Sequence, residues 1–358
     1  MVKFLTCLGK CQKLKYIRNA EIPILRFKYG NPAICCHVSV NNQQAVMNYK
    51  IVQLINLIDG RLRNMVLLVK RWAEAENINN SKNHTLNSYS LCMLVIFHFQ
   101  TCDPPLLPPF IDIYPGNVAD NLTGVRNVSE REIEGKIRQN ILYYKSGSRG
   151  FANESSLSEL FESFLYKFSS IDTVARSFAI CPFTGQWEAF EYNTRRLSQN
   201  YALFIEDPFA QPENTAKVVN HTTLAKIAAA FRISYQSIKY TSTRNNLSTQ
   251  LFGPELGNVF ANNRHSQSKK ISRNPSGQQN TSVVGTRSPK TVLDLILKDI
   301  LDAIKPTMKD TNHRINIIKT LQEVVDTIDC CIYHDKEQLW SRMDHLCCRC
   351  LFHGETWI

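Results

Sequence analysis

Acidic side chains are scarce relative to basic ones. The chain carries 31 Asp and Glu against 42 Lys and Arg, a formal net charge of +11 in 358 residues. A strongly cationic partner is disfavoured by that balance, and a polyanion such as RNA fits it without being demanded by it. Long apolar runs are missing as well. The longest, Leu91–Phe97, falls far short of the roughly 20 residues a membrane-spanning helix needs, so no membrane association is expected. The opening MVKFLTCLGKCQKLK is broken by lysines too often for a secretory leader. Without one, the 12 cysteines are expected as reduced thiols rather than a disulfide framework.

What is present is enough for a core. A hydrophobic content of 43% over this length suits a soluble chain of two or three domains. The stretch from Met65 to Ser90 is the most informative. Leu62, Met65, Val66, Val69 and Ala73 recur at helical spacing, with Lys70 at the margin of their face. Asn77 and the polar run after it end that helix. Thr85 then opens a second, very apolar helix through Phe99, with Ser88 and Tyr89 in its first turn. A lysine, a hydroxyl and an aromatic ring can together hold a phosphate and stack a base. Read alone, Lys70 is better taken as a lysine snorkelling from a buried helix face.

Residues 16–40 predict two strands, YIRNAEIPILRFKY and AICCHVSV, joined by a turn at Gly30-Asn31-Pro32. Residues 43–102 are predicted helical, and the Pro-rich piece from Cys102 to Gly116 a loop or extended connector. Ser129-Glu130-Arg131-Glu132 predicts a capping box opening a helix toward Tyr144, and Ser156-Leu157-Ser158-Glu159 another. The second helix places Leu160, Phe164, Leu165 and Phe168 on one face. Phe178 to Trp187 reads as a short irregular or strand segment around Pro-Phe-Thr-Gly, and Thr222–Phe231 as a short helix. From Thr241 to Lys290 the residues are mostly Ser, Asn, Gln, Gly and Thr, and the charges are seven cations against Glu255. That composition predicts a basic disordered linker. Ser288 and Pro289 then start a helix carrying Leu293, Leu297, Ile300, Leu301 and Ile304, and Arg314–Ile328 forms another.

Three motifs in order, LVKRWA, TLNSYSLCMLVIFHFQ and IEDPFAQPEN, make the segment from about Tyr16 to Ile238 resemble the terminal RNA uridylyltransferases and non-templated poly(A) polymerases. These belong to the DNA polymerase β-like nucleotidyltransferase superfamily. The strongest resemblance is to plant enzymes that add uridines to the 3′ ends of small RNAs. The resemblance implies an α+β fold: a fragment of the nucleotidyltransferase palm sheet, then a mostly α-helical poly(A)-polymerase-like central domain with its associated module. The implied organisation is palm remnant at 1–48, helical domain at 49–240, linker at 241–289 and helices at 290–328. Those last helices resemble the family's N-terminal ones, here out of order, as if the back of one copy were joined to the front of another. Residues 329–358 match nothing. Within them Cys347, Cys348 and Cys350, with His345 and His353, include a C-x-x-C spacing but no second spaced pair to complete a zinc framework.

The resemblance also implies UTP and RNA 3′ ends as partners, Mg²⁺ or Mn²⁺ as cofactor, and a cytoplasmic or nuclear location. It assigns Asn48 to the sugar, Lys70 and Ser88 to the triphosphate, Tyr89 to base stacking and Asp207 to the uracil edge. Read alone, Asp207 better suits a turn or helix N-cap before Pro208. Departures accompany the matches. Four residues after Lys70, where the family usually has a lysine, stands Glu74. Ala210 replaces a common glutamate, and Glu213 stands where some uridylyltransferases carry a histidine. The family chemistry needs an Asp-x-Asp strand and a third Asp, because Mg²⁺ takes hard anionic oxygens. No Asp-x-Asp occurs in these residues, and His37 occupies the expected third position. An imidazole suits Zn²⁺ or Cu²⁺ better than Mg²⁺. The expectation is a member of this family that is catalytically impaired; the alternative is a non-catalytic nucleotide- or RNA-binding remnant, or a partner protein.

Overall fold

A computed structural model describes residues 11–18, 24–29, 34–39, 42–122, 126–147, 153–192, 201–240 and 244–253, together with 294 and 297. They divide between two compact units. The first takes the described residues up to Leu54 and those between Ala119 and Gly135; the second takes the others.

In the first unit, β1 (Cys11–Ile17), β2 (Ile24–Tyr29) and β3 (Ile34–Ser39) form an antiparallel sheet in that order. Two strands were expected where three stand, because the lysine-rich CQKLKYI also pairs, Tyr16 facing Leu25 and Ile17 facing Ile24. A bulge interrupts that pairing between Gln12 and Lys15, with Lys13 at φ 53°. Leu25 and Phe27 are buried on alternate positions of β2, the period-2 signature of a half-covered strand. Helix α1 (Gln43–Ile55) follows. Its Lys50 is held by Glu134 at 2.7 Å and Glu130 at 3.2 Å. Those carboxylates lie on a helix running from Arg126 to Gly147, so Ser129 is inside that helix rather than capping it. The expected capping box, which needs Ser129 as N-cap and Glu132 at N3, is therefore absent.

The second unit is built on α2 (Arg61–Ala75), α3 (Ser88–Thr101), the C-terminal half of α4 (Arg126–Gly147), α5 (Leu157–Lys167), α6 (His221–Tyr240) and α7 (Arg244–Phe252). Ser156 and Glu159 form the reciprocal capping box the sequence announces at the start of α5. Trp72 anchors the core. Its ring lies 4.7 Å from Phe231 and meets Phe161 edge-on at 6.5 Å. Its Nε1 donates to Ser234 Oγ (2.8 Å), and that hydroxyl donates to Glu76 Oε1 (3.2 Å), so the buried indole N–H is satisfied.

Strands β4 (Phe178–Cys181) and β5 (Gln186–Ala189) form a hairpin. Gly185 turns it at φ +65°, with Pro109 so close that a Cβ would meet it at 3.2 Å. The Pro-rich connector contains one helical turn, Phe110–Ile113. Its Phe110 and Ile111 amides donate to Pro182 and Phe183, which pins the connector to the hairpin.

Two elements exceed their sequence signals. Helix α6 runs to Tyr240, nine residues past the expected end at Phe231. The supposed linker begins with helix α7, whose Leu247, Leu251 and Phe252 are buried and whose Phe252 ring stacks on Phe161. Of the late helices, Asp294 and Leu297 alone are described. Both are helical; Ser158 Oγ donates to Asp294, and Leu297 is buried. The remainder of 290–328, the Gly30-Asn31-Pro32 turn and the cysteine-rich tail lie outside the described residues. No helix among the described residues is long and apolar enough to cross a membrane.

Candidate functional site

Helices α2 and α3 pack together and bring the sequence motifs into one place. Lys70 is not a snorkelling surface residue: it is 8% exposed. Burial pushes its pKa below the ordinary lysine value, opposed by the charge of Glu74, and the Cys92 sulfur lies close enough to interact with it. Cys92 is one turn beyond Ser88 on α3, so Lys70 lies against the face of α3 that carries Ser88 in its first turn. The thiol itself is pushed up to about 12 by burial, which leaves it a neutral neighbour. Glu74 is turned to solvent and bonded by Arg71 at 3.0 Å.

The first turn of α3 is positioned by asparagines. Asn87, not Thr85, is the N-cap, accepting from Ser90 N at 2.8 Å. Thr85 instead closes the preceding loop, bonding Asn80 N and O. Asn79 Nδ2 donates to Ser88 Oγ at 3.3 Å. Neither Asn79 nor Asn87 was singled out in the sequence. Asn87 carried a readable signal, an N-cap residue three positions before Ser90; Asn79 carried none.

The segment 201–219 supplies the opposite wall. Ile205 runs parallel to Ile180, with Glu206 N donating to Ile180 O at 2.9 Å, so this stretch extends the β4–β5 sheet. Asn214 Oδ1 then accepts from both Ile205 N and Ala216 N, folding the chain back on itself. Thr215 O receives Ser90 Oγ (2.7 Å) and Asn87 Nδ2 (3.0 Å), which ties the loop to the start of α3.

Asp207 sits at the tip of this loop, 8% exposed. Its Oδ1 accepts from Phe209 N at 3.0 Å and from Tyr89 OH at 2.9 Å. The turn role and the contact with Tyr89 are thus made by the same oxygen. Burial raises the Asp207 pKa to about 6, with Glu213 adding to the rise and the two hydrogen bonds opposing it.

The structure therefore joins Tyr89 to Asp207, with Ser88 alongside and Lys70 against the face of α3 that carries Ser88. Asn48 belongs to the first unit, where its Oδ1 accepts from Gln44 Nε2 at 2.7 Å. His37 stands on β3 opposite Arg26 of β2. No group of three or more His, Cys, Asp or Glu side chains able to hold a metal is found among the described residues.

No family model matches the chain. It is 44% identical over 256 residues to the protein HESO1 of Arabidopsis thaliana, a match covering 72% of this chain and 50% of that protein. It is 31% identical over 236 residues to the poly(A) RNA polymerase gld-2 homolog A of Drosophila melanogaster, 63% of this chain and 16% of that one. The chain thus spans half or less of the length of these relatives. Among solved structures, a cytoplasmic RNA terminal U-transferase superposes with a TM-score of 0.51 at 23% identity, over 66% of this chain and 69% of the other. The poly(A) polymerase mtPAP in its apo form gives 0.52 at 21%, over 70% and 50%. The fold expected from the sequence is the fold found, shared with poly(A) and U-transferases of known structure, and over 72% of its length the chain is similar to HESO1.

Proposed function

We propose that this chain is the nucleotide-binding part of an RNA 3′-terminal uridylyltransferase, and that its 358 residues bind UTP without transferring uridylate. The observation that carries the nucleotide reading is the 2.9 Å bond from Tyr89 to the buried Asp207. It fixes an aromatic face beside a carboxylate, which is what stacking a pyrimidine and reading its edge requires.

Each group has a task. Lys70, already stripped of much of its hydration, offers a strong charge to a triphosphate, and Ser88 Oγ donates to a phosphate oxygen. Tyr89 presents its ring to the base. Ionised Asp207 accepts the N3–H of uracil; cytosine has an acceptor at that position and is repelled.

Divalent metal would supply charge neutralisation and activation of the RNA 3′-hydroxyl in the family reaction. The donors here do not fit it. Asp-x-Asp is absent from the sequence, His37 stands where a third aspartate is expected, and the described residues gather no carboxylate cluster. A solved structure of the Cid1 poly(U) polymerase holds Mg and 3′-dATP at a TM-score of 0.50, but no step is assigned to a metal on this chain.

Calorimetry with UTP and CTP tests the binding reading. The parent chain should prefer UTP, and Asp207→Ala should bring the two affinities together. Equal affinity in the parent, or no UTP binding at all, would sink it.

A further inference from the structure

Three asparagines around the α2–α3 loop spend their side chains on backbone. Asn77 Nδ2 donates to Ala75 O at 3.4 Å, and Asn80 Oδ1 accepts from Lys82 N at 3.1 Å. Asn87 caps Ser90 N through Oδ1 and ties Thr215 O through Nδ2. Asn79 is different. Its backbone lies beside Leu86 in a single parallel bridge, two residues before Ser88. Its side chain meets Ser88 alone among the described residues: Nδ2 lies 3.3 Å from the serine Oγ and Oδ1 3.5 Å from it. Both residues are partly open to solvent. The loop itself is closed by Thr85 and Asn80, so the amide of Asn79 is not needed to hold it.

We infer that Asn79 is a positioning residue for the nucleotide's phosphates, acting through Ser88 by fixing which way the serine hydroxyl points. A hydroxyl has one hydrogen and two lone pairs. It can serve an anion only by giving that hydrogen. With Nδ2 of Asn79 donating to Oγ, one lone pair is engaged and the O–H is left for a phosphate oxygen. With Oδ1 taking the serine hydrogen instead, the hydroxyl would turn lone pairs toward the anion and repel it. An arriving phosphate therefore selects the first arrangement. The chain from amide N–H to hydroxyl to phosphate is then stronger than its separate bonds, because each polarises the next.

The inference deepens the nucleotide reading above and rests on it. The test is a double-mutant cycle in the full chain, with UTP affinity from calorimetry and uridine affinity from an NMR titration. Asn79→Ala should weaken UTP about fivefold and Ser88→Ala about twentyfold, the latter losing a hydrogen bond to a charged group. The double variant should be no weaker than Ser88→Ala alone, since an amide that acts through a hydroxyl has nothing left to act on once the hydroxyl is gone. Uridine, which has no phosphate, should bind all four chains alike, and Asn79→Ala should melt within about 2 °C of the parent. Losses that multiply in the double variant, or uridine weakened as much as UTP, would make Asn79 a structural residue and overturn the inference. So would an Asn79→Ala chain that binds UTP like the parent while Ser88→Ala does not; in both cases the nucleotide reading would stand. A parent chain that binds no UTP would overturn that reading and this inference together.

Discussion

Tyr89 and Asp207, 118 residues apart in the chain, share a hydrogen bond of 2.9 Å between phenol and carboxylate. The carboxylate is nine-tenths buried and its pKa is raised to about 6. UTP affinity should therefore rise as the pH passes upward through about 6, because only the ionised acid accepts from uracil N3–H. The triphosphate also titrates near there, so the informative quantity is the difference from Asp207→Asn. Calorimetry across that range should show the difference growing with pH; parallel profiles would remove Asp207 from base recognition.

The same shift has a consequence for stability with a definite sign. The folded pKa lies above the unfolded value of 3.8, so the folded state favours the protonated acid. That contribution is fully present below about pH 4 and is lost as the pH rises through about 6. A shift of this size is worth on the order of 3 kcal/mol. Denaturant unfolding of the parent should lose that much more stability between pH 4 and 7 than Asp207→Asn does. Equal losses would show the acid to be better solvated than its burial suggests.

Lys70 should separate binding from stability. A buried ammonium costs desolvation free energy that a methionine of similar length does not. Lys70→Met should raise stability by about 1 kcal/mol, a melting shift of a few degrees, and abolish measurable UTP binding. Loss of both together would mean that the lysine is structural.

How much of this was legible follows from where each signal resides. Helices α2, α3 and α5 announce themselves because their apolar period and their caps are local; Ser156 and Glu159 need nothing beyond three residues of sequence. Lys70, Ser88 and Tyr89 stand out through the resemblance that LVKRWA and TLNSYS carry; helical spacing alone places them on α2 and in the first turn of α3 and gives them no role. Asp207 was ambiguous because its turn and its tyrosine contact use one oxygen, and the sequence shows the turn alone. Helix α7 was hidden: Leu247, Leu251 and Phe252 are its whole apolar content among Asn, Ser, Thr and Gln. Its stability comes from Phe161 in another helix, a contact no window of sequence contains. Thr85 resembles a cap because it precedes an apolar run, while the actual cap, Asn87, stands two residues later.

Helix α7 should then behave as core rather than tether. Leu251→Ala should destabilise the second unit by about 2–4 kcal/mol, whereas a substitution in a solvated linker would cost almost nothing. Denaturant unfolding followed by tryptophan fluorescence reads the difference, since Trp72 meets Phe161, the ring on which Phe252 stacks. A change below about 0.5 kcal/mol would return this segment to the linker.

Transfer of uridylate by the 358 residues themselves is the sharpest test. Phosphoryl transfer of this kind draws most of its acceleration from charge placed before the reaction starts, and neither the Asp-x-Asp pair nor a third aspartate is here to place it. His37→Asp alone should stay inactive, because one carboxylate cannot hold two ions. Fusing an Asp-x-Asp palm segment ahead of the chain together with His37→Asp should give tailing of a labelled RNA 3′ end with UTP and Mg²⁺ or Mn²⁺. Glu74 adds a second, quantitative expectation. It stands one turn from Lys70 with its charge held by Arg71, so Glu74→Lys removes a negative charge, adds a positive one and releases the arginine. UTP should bind about fivefold tighter, equivalent to about 1 kcal/mol, and tailing by the fused chain should quicken at limiting UTP. Robust extension by the unmodified chain, with contaminating polymerase excluded, would falsify the assignment of this molecule as a binder rather than a transferase.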